Sequence, residues 1–206
     1  MNRIFLLSPA NLSGVRGRQI LSKRARFETA SRLRGEGLPL GELFTFVSGL
    51  YFRGKLAYAR AFAQAPPDTP AVFVITTSHG LVPPERVITR SDVERMTSVP
   101  IDPADGRYRD PLRRDISTIA ASNRRDCEIV LLGSIATSKY VEPLLEVLGE
   151  RLFFPSEFVG RGDMSRGGLM LRCVKSGKQL TYVPVATAVR HGARPPSLRD
   201  NDPAKG

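Results

Sequence analysis

The sequence predicts a single α/β domain with a mainly parallel sheet of four or five strands, helices on both faces and a C-terminal β-hairpin. One complete strand–turn–helix unit and several further apolar runs carry this prediction. Residues 127–149 contain the apolar run 129–132, a Gly133-Ser134 turn and then apolar side chains at helical spacing, up to Gly149. A buried strand that passes through a glycine turn into a helix is the repeating unit of parallel α/β sheets. The length of 206 residues fits one such domain.

The remaining elements follow from local pattern. Further strands are predicted at residues 4–7, 43–47, 71–75 and 152–154, and further helices at residues 23–33, 53–65 and 110–123. Residues 169–174 and 179–185 alternate in polarity around a glycine-containing turn, which is typical of a hairpin. Residues 85–107 are polar and irregular and are predicted to cover the sheet edge. The domain is expected to span residues 1–192, with a proline-rich, disordered tail at 193–206.

Charge is the most unusual property of the composition. The chain has 31 basic and 20 acidic residues, a net charge of +11, and 25 of its basic residues are arginine. The first 60 residues hold eleven of the basic residues and only three acidic ones. A high-GC genome also enriches arginine, but it does not explain the excess of positive charge. The charge therefore favours a polyanionic partner, a nucleic acid or a nucleotide.

Several classes of protein are disfavoured by what the sequence lacks. Two cysteines are too few for a disulfide framework, and they have no metal-binding spacing. The N-terminal apolar run has only four residues, so neither a signal peptide nor a membrane span is expected, and a cytoplasmic setting follows. The glycines at 14 and 17 do not complete a Walker A loop or a dinucleotide fingerprint. No metal or cofactor is expected.

Polar residues cluster where the predicted strands end, which is the edge of a parallel sheet where ligands bind. We predict that twelve of them contact phosphate or nucleic acid: Ser8, Asn11, Ser13, Arg16, Arg18, Tyr51, Arg53, Lys55, Ser134, Arg161, Ser165 and Arg166. Hydroxyl, amide and guanidinium groups are the usual phosphate donors, and an aromatic ring beside cations can stack on a base. The alternative for each is an ordinary loop or a solvated face on a basic protein.

Two residues are candidates for chemistry. His79 follows the strand at 71–75 in a polar turn, where an imidazole can exchange protons near neutral pH. Asp163 lies in the glycine-rich stretch 158–168 and can serve as a base or orient a water molecule. The alternatives are a turn histidine that bonds to the backbone and a hairpin with exposed charges.

Two family resemblances add to these predictions. The segment Leu132-Gly133-Ser134-Ile135-Ala136 and the later Phe154-Pro155-Ser156 resemble motifs of the uracil-DNA glycosylase-like superfamily. That resemblance implies a Rossmann-like three-layer fold and a site that handles a nucleobase. The chain departs from the family at Ser8-Pro9-Ala10-Asn11, which holds no convincing counterpart of the water-activating Asp or Asn, and at Phe154, where the family has histidine. Residues 48–90, with Leu50-Tyr51-Phe52-Arg53 and then Ser78-His79-Gly80-Leu81 after a strand, also resemble uncharacterised bacterial domains, a resemblance from which no particular activity follows.

These observations lead to one functional hypothesis and two alternatives. The hypothesis is a nucleic-acid- or nucleotide-directed enzyme, a glycosylase-like hydrolase, that cleaves or exchanges an N-glycosidic bond. A duplex substrate would have to flip its base into the site. The alternatives are a non-catalytic nucleic-acid-binding module and an enzyme that acts on a small phosphorylated metabolite.

Overall fold

The computed structural model describes residues 2–65, 70–122, 127–190 and 192–193, and a six-stranded sheet runs through its centre. The strands within these ranges are β1 (Arg3–Leu7), β2 (Leu38–Pro39), β3 (Val72–Ile75), β4 (Leu81–Val82), β5 (Val87–Ile88), β6 (Glu128–Leu132), β7 (Leu152–Pro155) and β8 (Tyr182–Pro184). The sheet order is β4-β3-β1-β6-β7-β8, and β2 pairs with β5 in a separate two-stranded sheet. Strands β3, β1, β6 and β7 are parallel, while the edge strands β4 and β8 are antiparallel.

Helices cover both faces of this sheet and give a three-layer α/β domain. The helices are α1 (Val15–Leu21), α2 (Glu28–Gly35), α3 (Leu40–Ser48), α4 (Leu50–Phe62), α5 (Arg90–Ser98), α6 (Gly106–Ser122), α7 (Ser138–Leu148) and α8 (Asp163–Ser176). Helix α4 packs against α8, and α6 packs against α7. Helix α4 lies in the connection from β1 to β3, whereas α6 and α7 lie in the connections from β3 to β6 and from β6 to β7, which run along the sheet in the opposite direction. Because connections between parallel strands are right-handed, the α4–α8 pair and the α6–α7 pair cover opposite faces of the sheet.

The order of the parallel strands creates a switch point beside β1. The chain leaves β1 for β3 on one side and then crosses to β6 on the other. Helices on opposite faces therefore diverge between the carboxyl ends of β1 and β6. A crevice at such a point is where open α/β sheets bind their ligands.

The α/β class, the parallel sheet and the strand–turn–helix unit at 127–149 are confirmed. Strand β6 is buried from Ile129 onward, and α7 follows with Thr137 at its N-cap. Gly149 ends the helix with a φ of +52°, a conformation that glycine adopts without strain. The apolar runs at 4–7, 71–75 and 152–154 correspond to β1, β3 and β7.

The strand predicted at residues 43–47 is wrong, because these residues belong to α3. Leu40, Leu43 and Phe44 are buried together on one face of the helix. Their spacing of three and four residues is helical. Here the burial of that face overrides the β-propensity of Phe44, Phe46 and Val47.

The predicted C-terminal β-hairpin is also wrong. Residues 169–174 belong to α8, which continues to Ser176. Gly177 has a φ of +66°, and its N–H and that of Lys178 bond back to the carbonyls of Val174 and Cys173. Gly177 therefore terminates a helix and does not form the turn of a hairpin. Only β8 forms beyond it, antiparallel to β7.

Three smaller corrections concern boundaries. The helix predicted at 23–33 begins only at Glu28 and ends at Gly35. The irregular stretch predicted at 85–107 contains α5, whose N-cap Thr89 forms a capping box with Asp92. The glycine-rich stretch 158–168 is helical from Asp163 onward. The disorder predicted for 193–206 falls almost entirely on residues 194–206, which lie outside the described ranges.

Candidate functional site at the β1–β6 switch point

The carboxyl ends of β1 and β6 approach each other closely. The N–H of Ser8 donates a hydrogen bond to the carbonyl of Leu132 at 3.1 Å, so the two strands stay paired one residue beyond β1. A Cβ atom on Gly133 would lie 2.8 Å from the Cβ of Ser8 and 3.1 Å from the hydroxyl of Tyr140. Glycine is therefore required at residue 133, because any side chain would displace Ser8.

A buried amine meets Ser8 at this point. Lys55, on α4, is fully buried, and its Nζ donates to the Ser8 carbonyl at 2.7 Å and lies 3.0 Å from the Ser8 hydroxyl. The rings of Tyr51 and Phe52 flank the amine, with centroids 4.4 and 4.9 Å from Nζ. We refer to Lys55 and Ser8 as the Lys–Ser pair.

Burial changes the protonation of this amine. It lowers the pKa of Lys55 from 10.5 to about 7, with Asp163 opposing the shift and Arg166 adding to it. Near neutral pH a large fraction of the amine is therefore uncharged. An uncharged amine can donate one hydrogen to the Ser8 carbonyl while its lone pair accepts the Ser8 hydroxyl proton. This is the arrangement of a serine activated by an adjacent base.

Two phenols complete the buried shell around the pair. The hydroxyl of Tyr140 accepts a hydrogen bond from the N–H of Ser134 at 3.0 Å. Burial raises the pKa of Tyr140, and the neighbouring Ser8 hydroxyl opposes this shift. The hydroxyl of Tyr51 is buried as well. Burial raises the pKa of Tyr51, and the guanidinium of Arg166 beside it opposes this shift.

Charged groups from the start of α8 surround this shell. Arg166 is only 11% exposed and donates two hydrogen bonds to the carbonyl of Phe158, at 3.0 and 3.1 Å. Its remaining terminal nitrogen lies 3.7 Å from the carboxylate of Asp163, which is 68% exposed. Asp163 therefore lies at the solvent side of the site and acts on Lys55 through its charge, since no hydrogen bond joins them in the described part of the chain.

Two glycines bring α4 and α8 close enough to form this arrangement. A Cβ atom on Gly54 would lie 2.7 Å from the carbonyl oxygen of Gly167, and one on Gly167 would lie 2.8 Å from the carbonyl oxygen of Leu50. The two backbones are therefore in direct contact. This crossing sets the position of Tyr51 and Lys55 relative to Asp163 and Arg166.

A ligand-sized cleft of about 670 Å³ adjoins the loop 9–13, which directly follows Ser8. Its walls are the loop 9–13, Phe44, Thr77, the segment 96–101 and Lys139. Lys139 is the only charged residue among these lining residues, and several of the others carry hydroxyl or amide groups. The volume lies within the range of small-molecule sites. The cleft suits a neutral or anionic ligand with both apolar and hydrogen-bonding parts.

The predicted phosphate-binding residues divide between several places. Ser8, Tyr51, Lys55, Ser134 and Arg166 are brought together around the Lys–Ser pair, whereas Asn11 and Ser13 line the cleft.

The other predicted cations lie apart from the pair. Arg16 donates to the Phe46 carbonyl at 3.1 Å, and Arg18 donates to the Ser13 carbonyl at 2.6 Å. Arg53 is exposed on α4. Arg161 donates to the Glu157 carbonyl at 3.0 Å and to the hydroxyl of Ser165 at 3.3 Å. Arg16, Arg18 and Arg161 thus each use at least one N–H donor on a backbone carbonyl, which leaves fewer donors for phosphate.

His79 lies in a different cluster from Asp163. Its Nε2 is 3.3 Å from the carboxylate of Asp92 at the start of α5, and its Nδ1 is 2.9 Å from the hydroxyl of Ser78. Burial lowers the pKa of His79, with Asp92 opposing the shift. The adjoining cavity has only about 10 Å³, room for roughly one water molecule. This environment ties the turn after β3 to α5.

Sequence reasoning missed the role of Gly133, Tyr140 and the glycine crossing of α4 and α8. Tyr140 stands on the apolar stripe of α7, where it is indistinguishable from a core residue. Gly54 and Gly167 are far apart in sequence and carry no local signal. The glycine that follows strand β6 was the one available signal, because glycine there often marks a close approach.

Further observations concern metals, membranes and relatives. Within the described ranges, no group of three or more His, Cys, Asp or Glu residues could hold a metal ion. None of the helices in those ranges is both long and apolar enough to cross a membrane. Comparisons with protein families, with curated proteins and with solved structures found no match to this chain.

Proposed function

We propose that the protein is an enzyme that binds a nucleotide unit, free or within a nucleic acid, and cleaves or exchanges its N-glycosidic bond. The observation that carries the proposal is the Lys–Ser pair: a buried amine with a pKa of about 7, 3.0 Å from a serine hydroxyl, at the switch point of a parallel sheet. The segment that resembles uracil-DNA glycosylase-like proteins contributes Gly133 to the same edge, which supports a nucleobase-handling site.

The chemistry assigned to the pair is proton transfer. Uncharged Lys55 takes the proton of the Ser8 hydroxyl, and Ser8 in turn takes a proton from a water molecule that attacks C1′ of the sugar. The bond from C1′ to the base nitrogen breaks, the water oxygen becomes the new C1′ hydroxyl, and a proton from Lys55 returns through Ser8 to the departing base. The water is consumed, and both residues end in their starting states.

The binding of the ligand rests on the cleft and its cation. The cleft has the volume of a nucleotide-sized ligand, and Lys139 at the start of α7 lies where a phosphate group would meet both a charge and free backbone N–H groups. Arg166 places further positive charge beside the pair.

The test is release of free base from labelled nucleosides, nucleotides and oligonucleotides, with Lys55→Met and Ser8→Ala as variants. We expect each variant to lower kcat by about 10²-fold or more, the usual contribution of a general base. Lys175→Met, on the exposed end of α8, is the matched control and should keep full activity. Wild-type kcat should rise with pH through about 7, because Lys55 must lose its proton. Turnover that survives both substitutions would contradict the proposal.

A non-catalytic nucleic-acid-binding module is the second candidate, and one observation favours it. Ser8 is only 4% exposed, and the shorter hydrogen bond of Lys55 goes to its backbone carbonyl. Both facts suit a pair that fixes the loop after β1. This candidate requires steeply salt-dependent binding without base release from any substrate. A shallow salt dependence would instead assign a small phosphorylated ligand.

A further inference from the structure

An exposed, basic and aromatic surface lies at the far end of α1 from the cleft. It consists of Lys23, Arg24 and Arg26 in the turn between α1 and α2, together with Phe27 and Phe46. We call it the α1–α2 surface. The seven residues of α1 span about 10 Å between the cleft loop at 9–13 and the basic turn, whereas Phe46 is only two residues along α3 from Phe44 in the cleft wall.

The cations of this surface are unpaired. Lys23, Arg24 and Arg26 are all exposed, and none of the ion pairs found among the described residues includes them. By contrast, Arg32 on the neighbouring helix is held by Glu36 and Glu42. Glu28 is the one carboxylate in the segment 22–28, so the three cations leave a local excess of positive charge that attracts phosphate groups.

An aromatic platform adjoins these cations. Phe27 and Phe46 are stacked, with ring centroids 5.3 Å apart and planes inclined by 19°, yet Phe27 remains 38% exposed. Arg16 donates a hydrogen bond to the Phe46 carbonyl and places another cation beside the platform. An exposed phenyl ring on an otherwise charged surface loses water contact when a flat base stacks on it.

We infer that the α1–α2 surface binds single-stranded nucleic acid, with a base stacked on Phe27 and the phosphates on Lys23, Arg24 and Arg26. Aromatic rings combined with a positively charged track are how proteins hold single strands without reading their sequence. A duplex offers no free base face, and an acidic peptide offers nothing to stack. The inference rests on the proposed function for the chemical class of the ligand. It adds a second contact, in which the α1–α2 surface binds the nucleic-acid strand whose target nucleotide enters the cleft.

Binding of a fluorescein-labelled oligothymidylate of about 12 nucleotides, followed by anisotropy across a salt series, tests the inference. We expect Arg24→Gln/Arg26→Gln to weaken binding about tenfold at low salt and to reduce the salt slope by about 1.4, the value for two single-strand phosphates. Lys175→Gln/Lys178→Gln removes the same charge from an exposed site on another part of the protein and should leave the slope nearly unchanged.

Two further comparisons separate stacking from charge. Phe27→Leu keeps an apolar contact with Phe46 but removes the ring, and it should weaken binding about fivefold or more while the salt slope stays the same. Oligoglutamate of equal charge should compete poorly with the oligothymidylate. Equal effects of the two double variants, no effect of Phe27→Leu, or equal competition by oligoglutamate would overturn the inference. Because the assay reads binding alone, these results do not depend on whether the Lys–Ser pair is catalytic.

Discussion

The amine of Lys55 has exchanged water for two aromatic rings and two serine oxygens, and this exchange makes its charge costly. A lysine with a lowered pKa in the folded state binds fewer protons there than in the unfolded chain. The resulting cost to stability is complete below pH about 7 and disappears as the pH approaches 10.5. Lys55 is therefore a site where function and stability oppose each other.

The first prediction follows from this cost. Between pH 7 and 10 the free energy of unfolding of the wild type should rise relative to that of Lys55→Met, by up to about 1.4 kcal/mol per pH unit. Urea denaturation of both proteins at several pH values measures the difference. The control is Lys175→Met at an exposed position, and its free energy of unfolding should change with pH as that of the wild type does. Parallel curves for Lys55→Met would mean that the amine is not buried as described.

A second prediction concerns the electrostatic effect of the Asp163 carboxylate on the pKa of Lys55. Its carboxylate opposes the lowering of the Lys55 pKa, so Asp163→Asn should lower that pKa further. The ¹⁵N chemical shift of the Lys55 amine, followed against pH, measures it directly. Glu150→Gln, on an exposed turn, should leave the titration unchanged. An unaltered titration in Asp163→Asn would show that the two groups do not interact.

Individual residues of the site could be predicted better than their roles. Ser8 and Ser134 follow strands β1 and β6, and parallel strands bring such positions to one edge. Tyr51 and Lys55 were predicted there from a strand at 43–47 that does not form, and Arg166 from a glycine-rich loop that is helical from Asp163 onward. The pairing of Lys55 with Ser8 could not be predicted, because nothing in the sequence separates an inward lysine on α4 from a solvated one. Its burial depends on Phe52 and Tyr51 closing over it, which is a tertiary property.

The crossing of α4 and α8 decides how the elements of the site meet. Gly54 and Gly167 allow contact between the two helix backbones, and the site residues are one to four positions away from these glycines. A small displacement of α8 would therefore move Asp163 and Arg166 away from Tyr51 and Lys55.

Substitution of these glycines gives a third prediction. Gly54→Ala should destabilise the protein by about 1–3 kcal/mol, because its Cβ would meet the carbonyl oxygen of Gly167 at 2.7 Å. Gly168→Ala is the matched control in α8, since a Cβ there meets nothing within 4 Å, and it should stabilise the helix by about 0.5–1 kcal/mol. Thermal denaturation distinguishes the two, and a Gly54→Ala protein as stable as Gly168→Ala would contradict the close crossing.

Elements with one dominant signal were predicted well, and those with two competing signals were not. The segment at 127–149 combines a β-favouring run, a turn and a capped helix, and it folds as predicted. Residues 43–47 carry β-favouring side chains at helical spacing, and burial of one helix face decides the outcome. The glycine at 177 suits both a hairpin and a helix end, and only the packing of α8 on α4 selects the helix.

The uneven charge of the whole molecule gives a fourth prediction. A net charge of +11 repels itself in the compact state, and salt screens this repulsion. The melting temperature should therefore rise by a few degrees between about 10 mM and 300 mM NaCl. In Arg24→Glu/Arg26→Glu the net charge falls by four, to +7, and the rise should be smaller. Differential scanning calorimetry at matched pH measures the melting temperature of both proteins. Equal rises with salt would show that Arg24 and Arg26 do not contribute to the repulsion.

The α/β class of the whole molecule follows from pattern alone, whereas its strand order does not. Short buried strands alternating with helices allow only a layered, mainly parallel sheet. The position of β1 between β3 and β6 depends on which crossover runs in which direction, and no local feature of the sequence records that choice. The switch point, and with it the location of the site, therefore became visible only in the structure.

The central position of β1 also has a consequence for how the chain is made. Strand β1 leaves the ribosome before both of its neighbours, residues 72–75 and 128–132, so its second edge stays open until the chain has grown from Leu7 to Glu128 and beyond. Pairings this distant in sequence form slowly, and an open apolar strand can pair with the wrong partner meanwhile. The same arrangement that places Ser8 between two strands leaves the nascent chain dependent on protection from aggregation until β6 emerges.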